Sequence, residues 1–203
     1  MVHQSHPARL LIIGPQGSGK GTQGVRIAEA FDIPAISTGD VFRAAVAGGT
    51  ELGLQVKSVI EAGELVSDEL TSAVVRSRLD HADAQDGFLL DGYPRNLAQV
   101  RDLDEFLSGR GETLDAVIEL RVPRDESISR LSLRAQQQGR TDDTEEVIAN
   151  RLAIYERETA PILGVYRTRG IVDEIDGVGT LDEVTQRIVA ALEARGLNRS
   201  AAA

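Results

Sequence analysis

The chain has 203 residues, no cysteine, 41% hydrophobic and 27% charged residues, and a net charge of −10. The length suits one α/β domain with modest insertions, the composition argues against disorder, and the missing thiols exclude disulfides and thiolate metal sites. So acidic a domain is a poor nucleic-acid binder, and any anionic substrate must meet a local cluster of arginines set against the overall sign. The first ten residues hold no signal-like apolar stretch, and the run Leu10 to Ile13 is too short to span a bilayer. The expectation is a cytoplasmic protein with no membrane or nucleic-acid partner.

Short apolar runs alternate with amphipathic segments, the pattern of βαβ units and a parallel sheet. Residues 8–14 (ARLLIIG) read as a buried strand, and 19–31 as a helix with Gly24, Ile27, Ala28 and Phe31 on one face. Between them runs Gly14-Pro15-Gln16-Gly17-Ser18-Gly19-Lys20-Gly21-Thr22, the G-x-x-x-x-G-K phosphate loop in its strand-to-helix setting. Successive backbone N–H groups there form an anion cradle, the helix N-terminus adds partial positive charge, and Lys20 reaches the β- and γ-phosphates. Gly21 stands where most such loops carry Ser or Thr, so the nearest hydroxyl is that of Thr22. The bland alternative is a glycine-rich turn with an incidental lysine.

A second strand covers 33–36, and short helices follow near 39–47, 51–62 and 68–82, broken at Gly48-Gly49 and Gly63. Residues 87–90 (GFLL) form a third strand that delivers Asp91 to its end. A carboxylate there faces the phosphate loop and holds Mg²⁺ through water, or else caps the next helix. Arg95 lies just beyond, at the carboxyl end of the sheet where α/β folds bind ligands, and suits a bidentate clamp on a second phosphate. Arg43 either does the same from the segment after the second strand or is a solvated helix-face arginine. A helix over 97–107 leads to a strand over 114–122, with Leu114, Ala116, Ile118, Leu120 and Val122 on one face, and then a helix over 125–138. The next helix opens at Asp143-x-x-Glu146, a capping-box variant, and is expected to stop near Ala160 because of Pro161. A fifth strand covers 171–175, and the last helix opens on Thr180 with Glu183 and closes on Arg195-Gly196, before a frayed tail over 198–203.

A phosphate loop alone says only that nucleotide phosphates are bound. Four further motifs narrow the reading: Gly19-Lys20-Gly21-Thr22-Gln23; Ser37-Thr38-Gly39-Asp40 with Arg43; Gly63-Glu64-Leu65-Val66 before Ser67-Asp68-Glu69; and Gly87 to Arg95 (GFLLDGYPR) with Gln99. In this order and spacing the chain resembles the adenylate kinases over 10–192. The resemblance implies a P-loop three-layer α/β fold with a five-stranded parallel sheet flanked by helices. It also implies a core of 1–36, 67–132 and 144–203, a helical AMP-binding insert over 37–66, and a short lid loop over 133–143. It implies phosphoryl transfer between MgATP and AMP, with ATP, AMP and ADP as ligands, by a monomer.

By that resemblance Gly17, Ser18, Gly19, Lys20, Gly21, Thr22, Arg130, Arg134 and Gly179 meet ATP. Thr38, Arg43, Leu65, Val66, Gly92, Arg95, Gln99, Arg140 and Arg151 meet AMP, and Mg²⁺ sits near Thr22 and Asp91. Arg130 is otherwise an ordinary helix-surface residue, Gly179 a plain strand-to-helix turn, and Thr38 also a helix cap. Lys20, Asp91, Arg95, Arg134, Arg140 and Arg151 form the catalytic set. Phosphoryl transfer to an already anionic acceptor needs positioning and charge stabilisation, with no general base, and a closed lid keeps water from the γ-phosphoryl. Only Ala135 to Gly139 separates Arg134 from Arg140, so the lid is of the short class, and no cysteine or nearby histidine is present to bind zinc. Thr38 and Gln99 favour adenine, because a glutamine amide offers a donor and an acceptor to its N6/N1 edge. UMP/CMP kinases are the alternative, and Asn96 after Arg95 resembles them. A regulatory P-loop module would not need the second-phosphate arginines.

Overall fold

The computed structural model describes residues 8–138 and 144–199, with the side chains of 134–138 outside that description. Five strands, β1 (Ala8–Ile13), β2 (Ala35–Ser37), β3 (Gly87–Asp91), β4 (Ala116–Arg121) and β5 (Val172–Asp176), pair in the order β2-β3-β1-β4-β5. All four pairings are parallel. β1 alternates strictly: Leu10 and Ile12 face one side of the sheet, Leu11 and Ile13 the other. Both sides are buried, which is why the strand reads as an unbroken apolar run.

The side of Leu10 and Ile12 packs on α1 (Lys20–Phe31), through Ile27 and Phe31, and on α9 (Leu181–Ala194), through Val184, Ile188 and Leu192. Gln23 is buried between these helices, donating to Leu181 O at 3.0 Å and accepting from the Thr185 hydroxyl at 2.7 Å, so the glutamine of the Gly-Thr-Gln motif serves packing. The other side packs on α4 (Asp68–Leu79), α5 (Leu97–Gly109) and α8 (Ala160–Thr168), with Phe88, Leu103, Leu107 and Tyr166 at its centre. Leu114 joins this second layer and not the face of Ala116, because β4 begins only at Ala116 and its alternation does not extend back to Leu114. Between β2 and α4 lie α2 (Thr38–Ala47) and α3 (Glu51–Glu61), packed closely together where Gly53 lies against the Ala45 backbone.

Two further features differ from the sequence reading. The helix expected to stop near Ala160 runs on. α7 (Glu145–Ile154) passes through a π-turn (Tyr155–Thr159) directly into α8, which continues to Thr168. Proline removes one helical donor, and the wider turn resets the register so that Pro161 falls in the first turn of the new segment, where its missing N–H costs nothing. The α7 cap is Thr144, whose hydroxyl accepts from Val147 N at 3.3 Å; Asp143 lies outside the described residues, as does the tail over 200–203.

The Thr180–Glu183 capping box is present in both directions. The Thr180 hydroxyl accepts from Glu183 N at 3.2 Å, and the Glu183 carboxylate accepts from Thr180 N at 2.8 Å. The Thr180 N–H and, at 3.0 Å, the Thr180 hydroxyl donate to the Glu183 carboxylate and hold it below the usual range. Thr180→Ala is expected to cost about 1 kcal/mol in urea unfolding, the ordinary cost of losing such a cap.

Candidate active site

Parallel α/β sheets bind ligands at the carboxyl ends of their strands, where neighbouring strands run on in opposite directions. Here that point is β1, flanked by β3 on one side and β4 on the other. The phosphate loop leaves β1, Thr38 follows β2, and Asp91 to Arg95 end and follow β3, so the three sequence motifs converge on one crevice.

The loop's shape depends on glycine at position 17. Its φ is +80°, and a Cβ there would lie 2.4 Å from the Ser127 carbonyl of α6 (Arg124–Gln138). α1 begins at Lys20 with no side-chain cap and no acidic residue in its first turn, whereas α2, α3, α4, α5, α7 and α9 all carry a capping side chain. An uncapped N-terminus leaves its N–H groups for an anion. Ser18 is buried, and its hydroxyl has no hydrogen-bond partner among the described residues. Arg130 is partly buried: it pairs with Glu126 at 2.7 Å and donates to Ser18 O at 3.4 Å and Gly177 O at 3.2 Å. It thus ties α6 to both the phosphate loop and the turn after β5.

The acceptor side is built on β3. Asp91 Oδ2 stands 3.6 Å from where a Cβ on Gly21 would be, and Oδ1 is buried with no hydrogen-bond partner among the described residues. The carboxylate therefore faces the phosphate loop and caps no helix. Gly92 has φ +84°, and a Cβ would lie 2.7 Å from the Thr38 hydroxyl, which donates to Gly92 O at 3.0 Å. Thr38 is not the α2 cap; Ser37 is, accepting from Asp40 N at 3.3 Å. Tyr93 anchors the following loop through Ser72 Oγ at 2.9 Å and Asp102 Oδ2 at 3.0 Å.

Arg95 is fixed on three sides. Its N–H donates to Gln99 Oε1 at 2.8 Å, its Nε to Gly92 O at 2.8 Å, and its carbonyl accepts from the Thr159 hydroxyl at 2.9 Å. Burial lowers the guanidinium pKa, Asp91 raises it, and Arg151 and Arg43 lower it again. Arginine stays charged at neutral pH regardless. Three guanidiniums crowded together in a strongly acidic protein form a site for an anion. Arg43 pairs with Asp40 at 2.5 Å, and Arg151 donates to Ile60 O at 3.3 Å, so α7 also touches the end of α3.

One cleft of about 450 Å³ gathers Gly17, Gly19, Lys20, Gly21, Thr22 and Arg130 on one wall and Thr38, Arg43, Leu65, Val66, Gly92, Arg95, Gln99 and Arg151 on another, with Asp91 between. Gly179 is outside that lining, in the turn after β5, with Glu183 close behind it. Arg134 lies on α6 but its side chain is outside the description, and Arg140 lies outside the described residues. Sequence reasoning missed Asp68 and Thr159. Asp68 Oδ1 accepts from Gln99 Nε2 and Asn96 Nδ2, both at 2.8 Å, and so orients the glutamine amide. Asn96 also caps α5, accepting from Gln99 N at 2.9 Å, which accounts for its presence without reference to uridylate. Only the Ser67-Asp68-Glu69 helix start hinted at Asp68, and no local signal marked Thr159.

A phosphate loop on β1 facing an arginine-lined wall across the switch point defines a P-loop α/β protein whose cleft suits phosphate groups on both sides. A sequence profile of the adenylate kinases matches residues 12–171. A protein named adenylate kinase from Kocuria rhizophila is 56% identical over 91% of this chain and 98% of its own length. Those so named from Clavibacter michiganensis and Bifidobacterium longum are 55% and 52% identical, over 95% and 91% of this chain and 96% and 100% of their own. The chain belongs to the adenylate kinase family and is a phosphotransferase. Among the described residues no helix is long and apolar enough to cross a membrane.

Proposed function

We propose that the chain transfers the γ-phosphoryl group of ATP reversibly to AMP, giving two ADP, and that the cleft residues divide as the two walls suggest. The single observation that carries this is Arg95, held with Arg43 and Arg151 across one cleft from Lys20. An oxygen of the AMP phosphate attacks the γ-phosphorus, and the bond from that phosphorus to the β–γ bridging oxygen breaks. The attacking oxygen is already anionic, so no proton need be removed. The protein's task is to align two polyanions and stabilise charge on the migrating group. Lys20 and the α1 N-terminus hold the donor phosphates, while Arg43, Arg95 and Arg151 hold the acceptor phosphate. Arg134 and Arg140 are assigned to closing over ATP, with Arg140 also reaching AMP, and Gly179 with Arg130 to the ATP base.

Asp91 and Thr22 are the residues that would hold Mg²⁺ through water, and the buried Oδ1 of Asp91, without a partner among the described residues, fits that use. Mg²⁺ would arrive with ATP and supply charge neutralisation at its β- and γ-phosphates. The residues 37–66 act as the AMP-binding insert and 133–143 as the lid. One chain lines both walls, which supports a monomer, and the cytoplasm is the setting this reading takes.

Thr38 and Gln99 are assigned to the AMP base. Asp68 takes one Nε2 hydrogen of Gln99, and Arg95 N–H takes one lone pair of its Oε1. That leaves one donor and one acceptor for the N6/N1 edge of adenine. A coupled assay for ADP across AMP, CMP, UMP and GMP is expected to favour AMP by about 10²-fold or more, because a mismatched base leaves buried polar groups unpaired. Comparable turnover with CMP would overturn the adenine assignment.

A further inference from the structure

Arg95 and Arg151 come from different parts of the fold. Arg95 sits on the loop after β3, and Arg151 on α7, the first segment of the continuous helical rod over 145–168. Two guanidiniums that grip one phosphate must keep a fixed separation, and displacement of about 1 Å at a reacting centre is worth about 10²-fold in rate. The rod is already tied to the α3 end, by Arg151 to Ile60 O and by Asn150 to Ala62 O at 3.1 Å. It also meets the Arg95 loop at the π-turn. Thr159, the last residue of that turn and only 7% exposed, sends its hydroxyl out of the rod to the Arg95 carbonyl at 2.9 Å. Arg95, Arg151, Tyr155 and Thr159 line one small cavity of about 40 Å³ behind the cleft. Single π-turns inside α-helices are found frequently at functional sites.

We propose that Thr159 is a positioning residue for the acceptor phosphate: its hydroxyl locks the Arg95 loop to the rod that carries Arg151, and so sets the spacing of the two arginines. This rests on the assignment of Arg95 and Arg151 to the AMP phosphate. A threonine that merely satisfies a buried carbonyl would matter for stability alone and would treat both substrates alike.

The test uses the full chain with Thr159→Val, which keeps the shape and removes the hydroxyl, and Thr159→Ser, which restores it. Initial rates are measured with AMP varied at saturating MgATP and with MgATP varied at saturating AMP, beside melting temperatures. Thr159→Val is expected to lose about 10-fold to 100-fold in kcat/KM for AMP while KM for ATP stays within about twofold, and Thr159→Ser to recover most of the loss. Should Thr159→Val not fold, Thr159→Ala carries the same expectation. AMP kinetics within about twofold of the parent, an equal rise in KM for AMP and for ATP, or a loss that serine does not restore overturns the proposal. Arg95→Ala run alongside separates the two levels. If Arg95→Ala leaves AMP kinetics intact, the acceptor assignment itself fails; if it impairs them and Thr159→Val does not, only the positioning role fails.

Discussion

Arg95→Ala is expected to lower ADP formation by about 10²-fold or more while ATP binding stays within a few-fold of the parent, since a misplaced acceptor phosphate costs about 10²-fold in rate. The substitution is a clean probe because most of what holds position 95 is main chain. The bonds from Arg95 N to Gln99 and from Thr159 to Arg95 O survive in an alanine variant, and only the side-chain bond from Nε to Gly92 O is lost. The loop should therefore keep its path while the guanidinium disappears. Initial-rate assays for ADP, with ATP affinity from titration calorimetry, read the two effects separately. Unchanged turnover, or a matching loss of ATP affinity, would remove Arg95 from the acceptor wall. Arg95→Lys should recover little, because an ammonium offers a point charge where a planar fork grips two oxygens.

The second large effect is expected at Lys20. Lys20→Met keeps the length and apolar stem of the side chain and removes its charge. It should reduce kcat by about 10²–10³-fold, the usual consequence of deleting one preorganised charge from a site where charge shifts. Lys20 opens α1, donates to Pro15 O at 3.5 Å across the loop, and lines the cleft beside Gly19 and Gly21. The donor phosphates are present in both directions of the reaction, so the loss should appear equally in ADP synthesis and in its reversal, measured with coupled assays from each side. A melting temperature close to the parent's would show that the loop still folds. A variant that retains full kcat would mean that backbone N–H groups alone carry the donor phosphates.

The fold and the site differ in how far their signals lie apart along the chain. The phosphate loop is legible because all its parts are contiguous: an apolar strand, glycines with the required backbone freedom, a lysine and a helix start within 8–22. The five strands and the capping box at Thr180 are legible for the same reason, since periodicity and capping act between residues at most a few places apart. The path through Pro161 is not legible locally because proline forbids a regular helix but not a π-turn that changes register ahead of it, and the choice between them is made by packing of Ile162, Leu163 and Tyr166 into the core.

By itself the sequence determined that this chain forms a P-loop α/β protein, and through the motif from Gly87 to Arg95 it pointed to a second phosphate opposite the loop. Tertiary structure alone decided how that opposition is held. Asp68 meets Gln99 across 31 positions, and Thr159 meets Arg95 across 64. Hydrogen bonds of that separation leave no trace in local propensity or periodicity, because they arise only when helices packed on one face of the sheet bring distant side chains to the same strand end.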